Sequence, residues 1–147
     1  MLSEILDGGD GRATRDDAGA PRVVFSEPQV AAVGLTLQGA IDGGIDARAY
    51  DVASSATAGA SFYGRGTAGT ARIVVDEARG VIVGATFTGS DVAEWLHAAT
   101  IAIVGETPIA LLWEAVPAFP TRSEIWLKLL ERRETCVIDA TIDDEPS

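Results

Sequence analysis

Ala118-Phe119-Pro120-Thr121-Arg122-Ser123-Glu124 separates two apolar segments: Leu111 to Val116 runs into it, and Ile125, Trp126, Leu127, Leu129 and Leu130 follow it directly. Two packed helices are therefore expected to turn a corner here. Thr121, with Glu124 three residues on, predicts a capping box: the hydroxyl accepts from the Glu124 amide while the Glu124 carboxylate reaches back to the Thr121 amide. Pro120 then sits just outside the helix. Read this way the stretch is an ordinary helix start, and Glu124 is first of all a cap.

Upstream of this corner the periodicity of the chain changes. Asp91 to Val104 predicts a helix in which Val92, Trp95, Leu96, Ala99 and Ile103 share one apolar face, with Asp91 and Glu94 forming a cap and Gly105 the stop. Its other side, with Ala93, Ala98, Ile101 and Ala102, is also largely apolar, so burial on more than one side is expected. Thr107-Pro108 reads as the start of a further helix, with a capping threonine and proline in the first position, running to about Val116. The last helix is expected from about Arg122 to Arg133, and the acidic stretch after it, Thr135 to Ser147, as extended or disordered chain.

Before the helices the signal has the period of strands. Thr70–Val75 and Val81–Thr88 are β-branched and joined by the polar Asp76-Glu77-Ala78-Arg79-Gly80, which suits a hairpin with a bulged turn. Gly84 within the second run leaves room for another backbone. Arg22–Phe25, Ala31–Leu35 and Asp46–Val52 are further strand candidates, with Ser26-Glu27-Pro28 as a turn and Gln38–Gly44 as a loop or frayed helix. Ala53–Gly69 is rich in small residues and reads as a long loop anchored by Phe62 and Tyr63. Residues 1–20 read as a linker or the remnant of a preceding domain, 21–133 as the ordered domain and 134–147 as an acidic tail. Strands first and helices last imply an α+β fold.

The 147 residues suffice for one core without staples. With 47% hydrophobic residues and a mean hydropathy of +0.20, apolar surface beyond one core is expected, and a subunit interface is where it would go. A net charge of −11 argues against nucleic acid or an anionic membrane as partner. No apolar run approaches the ~18 residues of a membrane span, and no secretory signal stands at the N-terminus. The single cysteine, Cys136, excludes an internal disulfide and a Cys-rich metal framework and suits a reducing cytoplasm. With one histidine, His97, no metal-ligand set is recognisable, and His97 on an apolar helix reads as a packing residue.

Three segments resemble one family, the flavoprotein disulfide reductases that bind two dinucleotides, such as dihydrolipoamide dehydrogenase, glutathione reductase and mercuric reductase. Val24-Phe25-Ser26-Glu27-Pro28-Gln29-Val30-Ala31-Ala32-Val33-Gly34-Leu35-Thr36 is similar to the Phe-Thr-Asp-Pro-x-x-Ala-x-Val-Gly-Leu-Thr opening of that family's interface domain. Pro120-Thr121, Ser123 and Glu124 resemble the His-Pro-Thr-x-Ser-Glu segment that closes it, and Glu94-Trp95-Leu96-His97-Ala98 matches its helix. The resemblance spans about residues 21–131. It implies an antiparallel β-sheet with helices packed on one face, the interface-domain fold of FAD/NAD-linked reductases, and a homodimer whose contact includes the last helix and the Phe119 turn.

In the family the histidine before the proline is the acid/base partner of a redox-active cysteine pair, and the glutamate orients it. Here that position is Phe119, and a phenyl ring neither accepts nor donates a proton, so the thiol step does not carry over; Glu124 keeps the glutamate position. The one Gly-x-Gly-x-x-Gly string, Gly64-Arg65-Gly66-Thr67-Ala68-Gly69, runs into the Thr70–Val75 strand instead of opening a helix after a strand, so it is not a dinucleotide fingerprint, and no cysteine pair occurs in the sequence. No cofactor is therefore expected in this chain, while FAD and NAD(P)H are implied for a full-length parent, whose dinucleotide-binding domains would be partners within the same polypeptide. Met1 is expected to fall close to a domain boundary. Three functions follow: the C-terminal dimerisation domain of an FAD- and NAD(P)H-dependent oxidoreductase, which supplies most of the subunit contact and presents Phe119 and Glu124 to the partner's flavin site in a parent that reduces a quinone or another small oxidant; a freestanding binding or regulatory module that reuses the fold; and, least supported, an enzyme in its own right.

Overall fold

The computed structural model describes residues 19–63 and 69–142, with backbone alone at 61–63 and 139–142. Over these the chain runs β1 (Arg22–Val24), β2 (Gln29–Gly34), α1 (Leu37–Asp42), β3 (Ala47–Ala53), a 3-10 turn (Ala58–Tyr63), β4 (Thr70–Asp76) and β5 (Val81–Gly89). A 3-10 turn (Val92–Trp95) leads into α2 (Leu96–Val104), followed by α3 (Ile109–Glu114), a 3-10 turn (Arg122–Glu124) and α4 (Ile125–Ile142). All strand pairs are antiparallel, and the sheet order is β1-β2-β5-β4-β3. The α+β architecture is the one expected.

The β4–β5 hairpin is the centre of this sheet because its residues satisfy both faces. Ala71, Ile73 and Val75 of β4, with Ile82, Ala85 and Phe87 of β5, point into one core with Ala31, Val33 and Tyr50. On the opposite face Asp51, Arg72 and Thr86 lie side by side in register, and Arg72 forms a two-pronged ion pair with Asp51 at 2.7 Å. A bulge between Val74 and Val75 passes over Val83, whose carbonyl accepts from the Leu35 amide at 2.9 Å. Here Gly84 is required: a Cβ on it would overlap the Leu35 carbonyl oxygen. The close approach read from the sequence is thus the crossing of β5 by the chain leaving β2.

The helices cover the core face. Val92, Trp95, Leu96, Ala99 and Ile103 are buried as the spacing predicts, and from the other end Ile125, Leu129 and Leu130 join them. Phe87 is the meeting point, edge-on to Trp95 at 5.6 Å and to Trp126 at 5.9 Å between ring centroids. Such a ring, wholly buried, contributes roughly 2–3 kcal/mol by burial alone.

Several local expectations are corrected. Asp91 is not a cap: it adopts a left-handed backbone with φ 55° and makes no side-chain cap bond, because a capping side chain needs extended backbone to reach the helix amides. Thr107 does not cap α3 either; Pro108, itself extended at ψ 139°, precedes the helix, which ends at Glu114. Gly105 does stop α2 as expected, its amide closing on the Ile101 carbonyl from a right-handed backbone, and the left-handed residue that follows is Glu106 at φ 47°. Gln38–Gly44 resolves to the helix alternative, with Thr36 accepting from the Gly39 amide at 3.0 Å. Ala53–Gly69 contains a 3-10 turn where a loop was expected.

The largest correction is α4, which runs to Ile142 where residues from Thr135 on were expected to be extended or disordered. No Gly or Pro occurs between Arg122 and Glu145, so nothing in the sequence stops the helix. Cys136 packs against the core, and Arg133 pairs with Glu77, which ties the distal half of the helix to the sheet. The linker up to residue 18, the Phe62 and Tyr63 side chains and residues 143–147 lie outside the described residues.

Candidate functional site

The Ala118–Glu124 corner is built from both sides. Thr121 has the extended backbone of a cap (φ −138°, ψ 166°) and forms the capping box with Glu124. The Thr121 amide donates to Glu124 Oε2 at 3.3 Å, and its hydroxyl donates back to the Ala118 carbonyl, closing the turn. The Glu124 carboxylate is thus engaged by the backbone of its own turn. Phe119, which precedes a cis-proline peptide, is 78% exposed. The structure therefore brings Phe119 and Glu124 onto one turn and gives them different tasks: the glutamate holds the turn, and the ring projects from it.

Arg122, inside the same turn, is a residue the sequence reading passed over. Its guanidinium lies over the Trp95 ring at 4.3 Å from the centroid, within the range of a cation–π contact, and Nη1 donates to the Ser90 carbonyl. Its partners lie in another segment of the chain, so no local pattern signals the pairing. Behind the turn, the 3-10 turn Ala58–Tyr63 comes so close that a Cβ on Gly59 would overlap the Thr121 carbonyl carbon and the Arg122 nitrogen.

Beside the turn lies an apolar surface. The side of α2 that faces away from the sheet carries Ala98, Ile101 (59% exposed) and Val104, and Val116, at 81%, adjoins the turn. A cavity of about 230 Å³ is lined by Ala98, Ala102, Leu112, Pro117, Trp126 and Leu130, with Ser123 contributing a polar edge. The burial of α2 on more than one side, expected from its composition, is met here only by Ala102; Ala98 and Ile101 are open. Exposed apolar residues grouped around an apolar groove mark an association surface.

The other candidate residues stand apart from this chemistry. His97 is exposed on α2, and Cys136 is half-buried against the core. Among the described residues no three His, Cys, Asp or Glu side chains are grouped to hold a metal ion, and no helix is long and apolar enough to cross a membrane. Among the described residues every strand pair is antiparallel, so they do not form the parallel strand, glycine-rich turn and helix that hold a dinucleotide pyrophosphate.

Comparison with known proteins gives this geometry a lineage. Residues 20–130 match the family described as pyridine nucleotide-disulphide oxidoreductase, dimerisation domain. A dihydrolipoyl dehydrogenase of Mycobacterium leprae (strain TN) is 34% identical over 128 residues, covering 84% of this chain and 26% of its own length. The chain thus spans about a quarter of the length of the curated relatives it matches. In fold it is similar to the HOCl-induced flavoprotein disulfide reductase RclA from Escherichia coli (TM-score 0.75, 23% identity, 88% of this chain and 30% of that one). It is also similar to LpdA (Rv3303c) from Mycobacterium tuberculosis (TM-score 0.76, 18% identity, 89% and 28%). With its five-stranded antiparallel sheet, its helices on one face and a match over residues 20–130, the chain belongs to the pyridine nucleotide-disulphide oxidoreductase dimerisation-domain family.

Proposed function

We propose that this chain is the homodimerisation domain of an FAD- and NAD(P)H-dependent oxidoreductase, and that it pairs through the outer side of α2, the adjoining groove, the last helix and the Phe119 turn. The observation that carries the reading is an apolar cavity that α2, α3 and α4 line together through Ala98, Leu112 and Trp126, with Ile101 of α2 and, in the chain between α3 and α4, Val116 and Phe119 exposed. A two-fold contact uses one patch on both subunits, and its fully buried centre is apolar. The cofactors belong to dinucleotide-binding domains of a longer parent, as the flavoprotein named among the structural relatives suggests. Within that parent Phe119 occupies the position of the family's proton-transfer histidine, and this chain supplies no acid or base there.

The test is Ile101→Glu, followed by sedimentation. Burying an unpaired carboxylate at the centre of a contact costs several kcal/mol, so pairing should weaken by about a hundredfold while the fold, in which Ile101 is exposed, is retained. Unchanged pairing would exclude this face of α2. A chain that is monomeric without any substitution would favour a freestanding binding module that uses the groove for another ligand.

A further inference from the structure

The turn that carries Phe119 is held at one position more than a helix start requires. The start of α4 is already fixed by the capping box and by Ile125 and Leu129, which are fully buried. The Arg122 side chain reaches beyond that cap to the segment between β5 and α2, where the Trp95 face and the Ser90 carbonyl receive it. Trp95 is itself locked edge-on against Phe87 in the core, so the guanidinium rests on a rigid platform. At the back of the turn the backbone at Gly59 stands as a wall. From Arg122 the constraint passes through Thr121, whose hydroxyl holds the Ala118 carbonyl, to Phe119.

We propose that Arg122 is a positioning residue for subunit pairing: its clasp on Trp95 and Ser90 fixes the turn in the orientation that presents Phe119 to a second copy of this chain. The proposal rests on the dimer reading above. An anchoring side chain held in its bound orientation before contact spares the association the cost of ordering it, and a planar guanidinium suits the task because it stacks and donates at once. Removing the clasp leaves Phe119 chemically intact and loosely aimed.

A double-mutant cycle on the full chain, read as the dimer dissociation constant by sedimentation equilibrium, tests this. Arg122→Met keeps an unbranched stem without the guanidinium and should weaken pairing about tenfold. Phe119→Ala should also weaken it. The double variant should pair no worse than Phe119→Ala within about twofold, because the clasp has nothing left to aim. A role in stability alone would lower the melting temperature and leave pairing intact, or give effects that multiply, and either result overturns the proposal. Should Arg122→Met fail to fold, Arg122→Gln enters the same cycle. If Ile101→Glu disrupts the dimer and Phe119→Ala does not, the dimer reading stands and the role of Arg122 falls; if neither disrupts it, the interface itself is misplaced and both fall.

Discussion

The Tyr50 hydroxyl on β3 donates to Glu77 Oε1 at 2.8 Å, and Arg133 of α4 closes on the same carboxylate. One half-buried carboxylate thereby joins the edge strand, the β4–β5 hairpin and the last helix. Burial pushes the Tyr50 phenol up to about 12, with the bond to Glu77 and that carboxylate's charge acting in the same sense. An unfolded tyrosine ionises near pH ~10. The folded state therefore keeps a proton that the unfolded chain loses, and this contribution is whole below pH ~10 and disappears as pH rises through about 12. Urea titrations at increasing alkaline pH should show the decline. Tyr50→Phe should cost about 1 kcal/mol at neutral pH and flatten the alkaline slope; an unaltered slope would contradict this account.

Glu124 acts as a cap, since its carboxylate is engaged by the Thr121 amide. Glu124→Ala should destabilise the fold by about 0.5–2 kcal/mol, the range for lost helix caps. A melt indistinguishable from that of the unmodified chain would mean that the bond contributes nothing.

Gly84→Ala should be far more damaging than its single added methyl suggests. The added carbon meets the backbone carbonyl of Leu35, which no side-chain rotation can relieve, so the β2–β5 crossing must shift. A loss of about 3 kcal/mol is expected, at the upper end for overpacked cores. Gly80, which has open space around it at φ +62°, provides the comparison: Gly80→Asn, a residue that tolerates left-handed backbone, should be nearly silent.

The positions of these features were unequally legible in the sequence. Val92, Trp95, Leu96, Ala99 and Ile103 declared their buried face because a helix repeats locally, and Thr70–Val75 with Val81–Thr88 declared a hairpin for the same reason. Asp91 could not be read correctly, because its left-handed backbone belongs to the bend after Gly89, at φ 138°, and helix capping motifs carry no mark of such bends. The length of α4 was misjudged on charge: the acidic residues after Glu134 resemble a solvated tail, yet the tie between Arg133 and Glu77 and the packing of Cys136 are long-range contacts. Phe119 and Glu124 are singled out by motif alone. Arg122 escaped because its partners, Ser90 and Trp95, lie in the segment between β5 and α2, distant in sequence.

For the longer parent proposed above, position 119 carries a prediction of its own. With a phenyl ring where the family has its proton-transfer histidine, a substrate panel on the full-length protein should favour a quinone or another small oxidant over disulfides. Phe119→His alone should not create disulfide reduction, because that reaction also needs a cysteine pair in the flavin domain. Robust disulfide reductase activity in the unmodified parent would refute the proposal.

Pairing of the chain itself is the central claim, and sedimentation equilibrium at micromolar concentration measures it most directly. The account predicts a species of twice the 15.3 kDa chain mass, persisting without added flavin or nucleotide. A single-chain mass maintained up to roughly 100 μM, well above what a stable interface of this class would need, would contradict it.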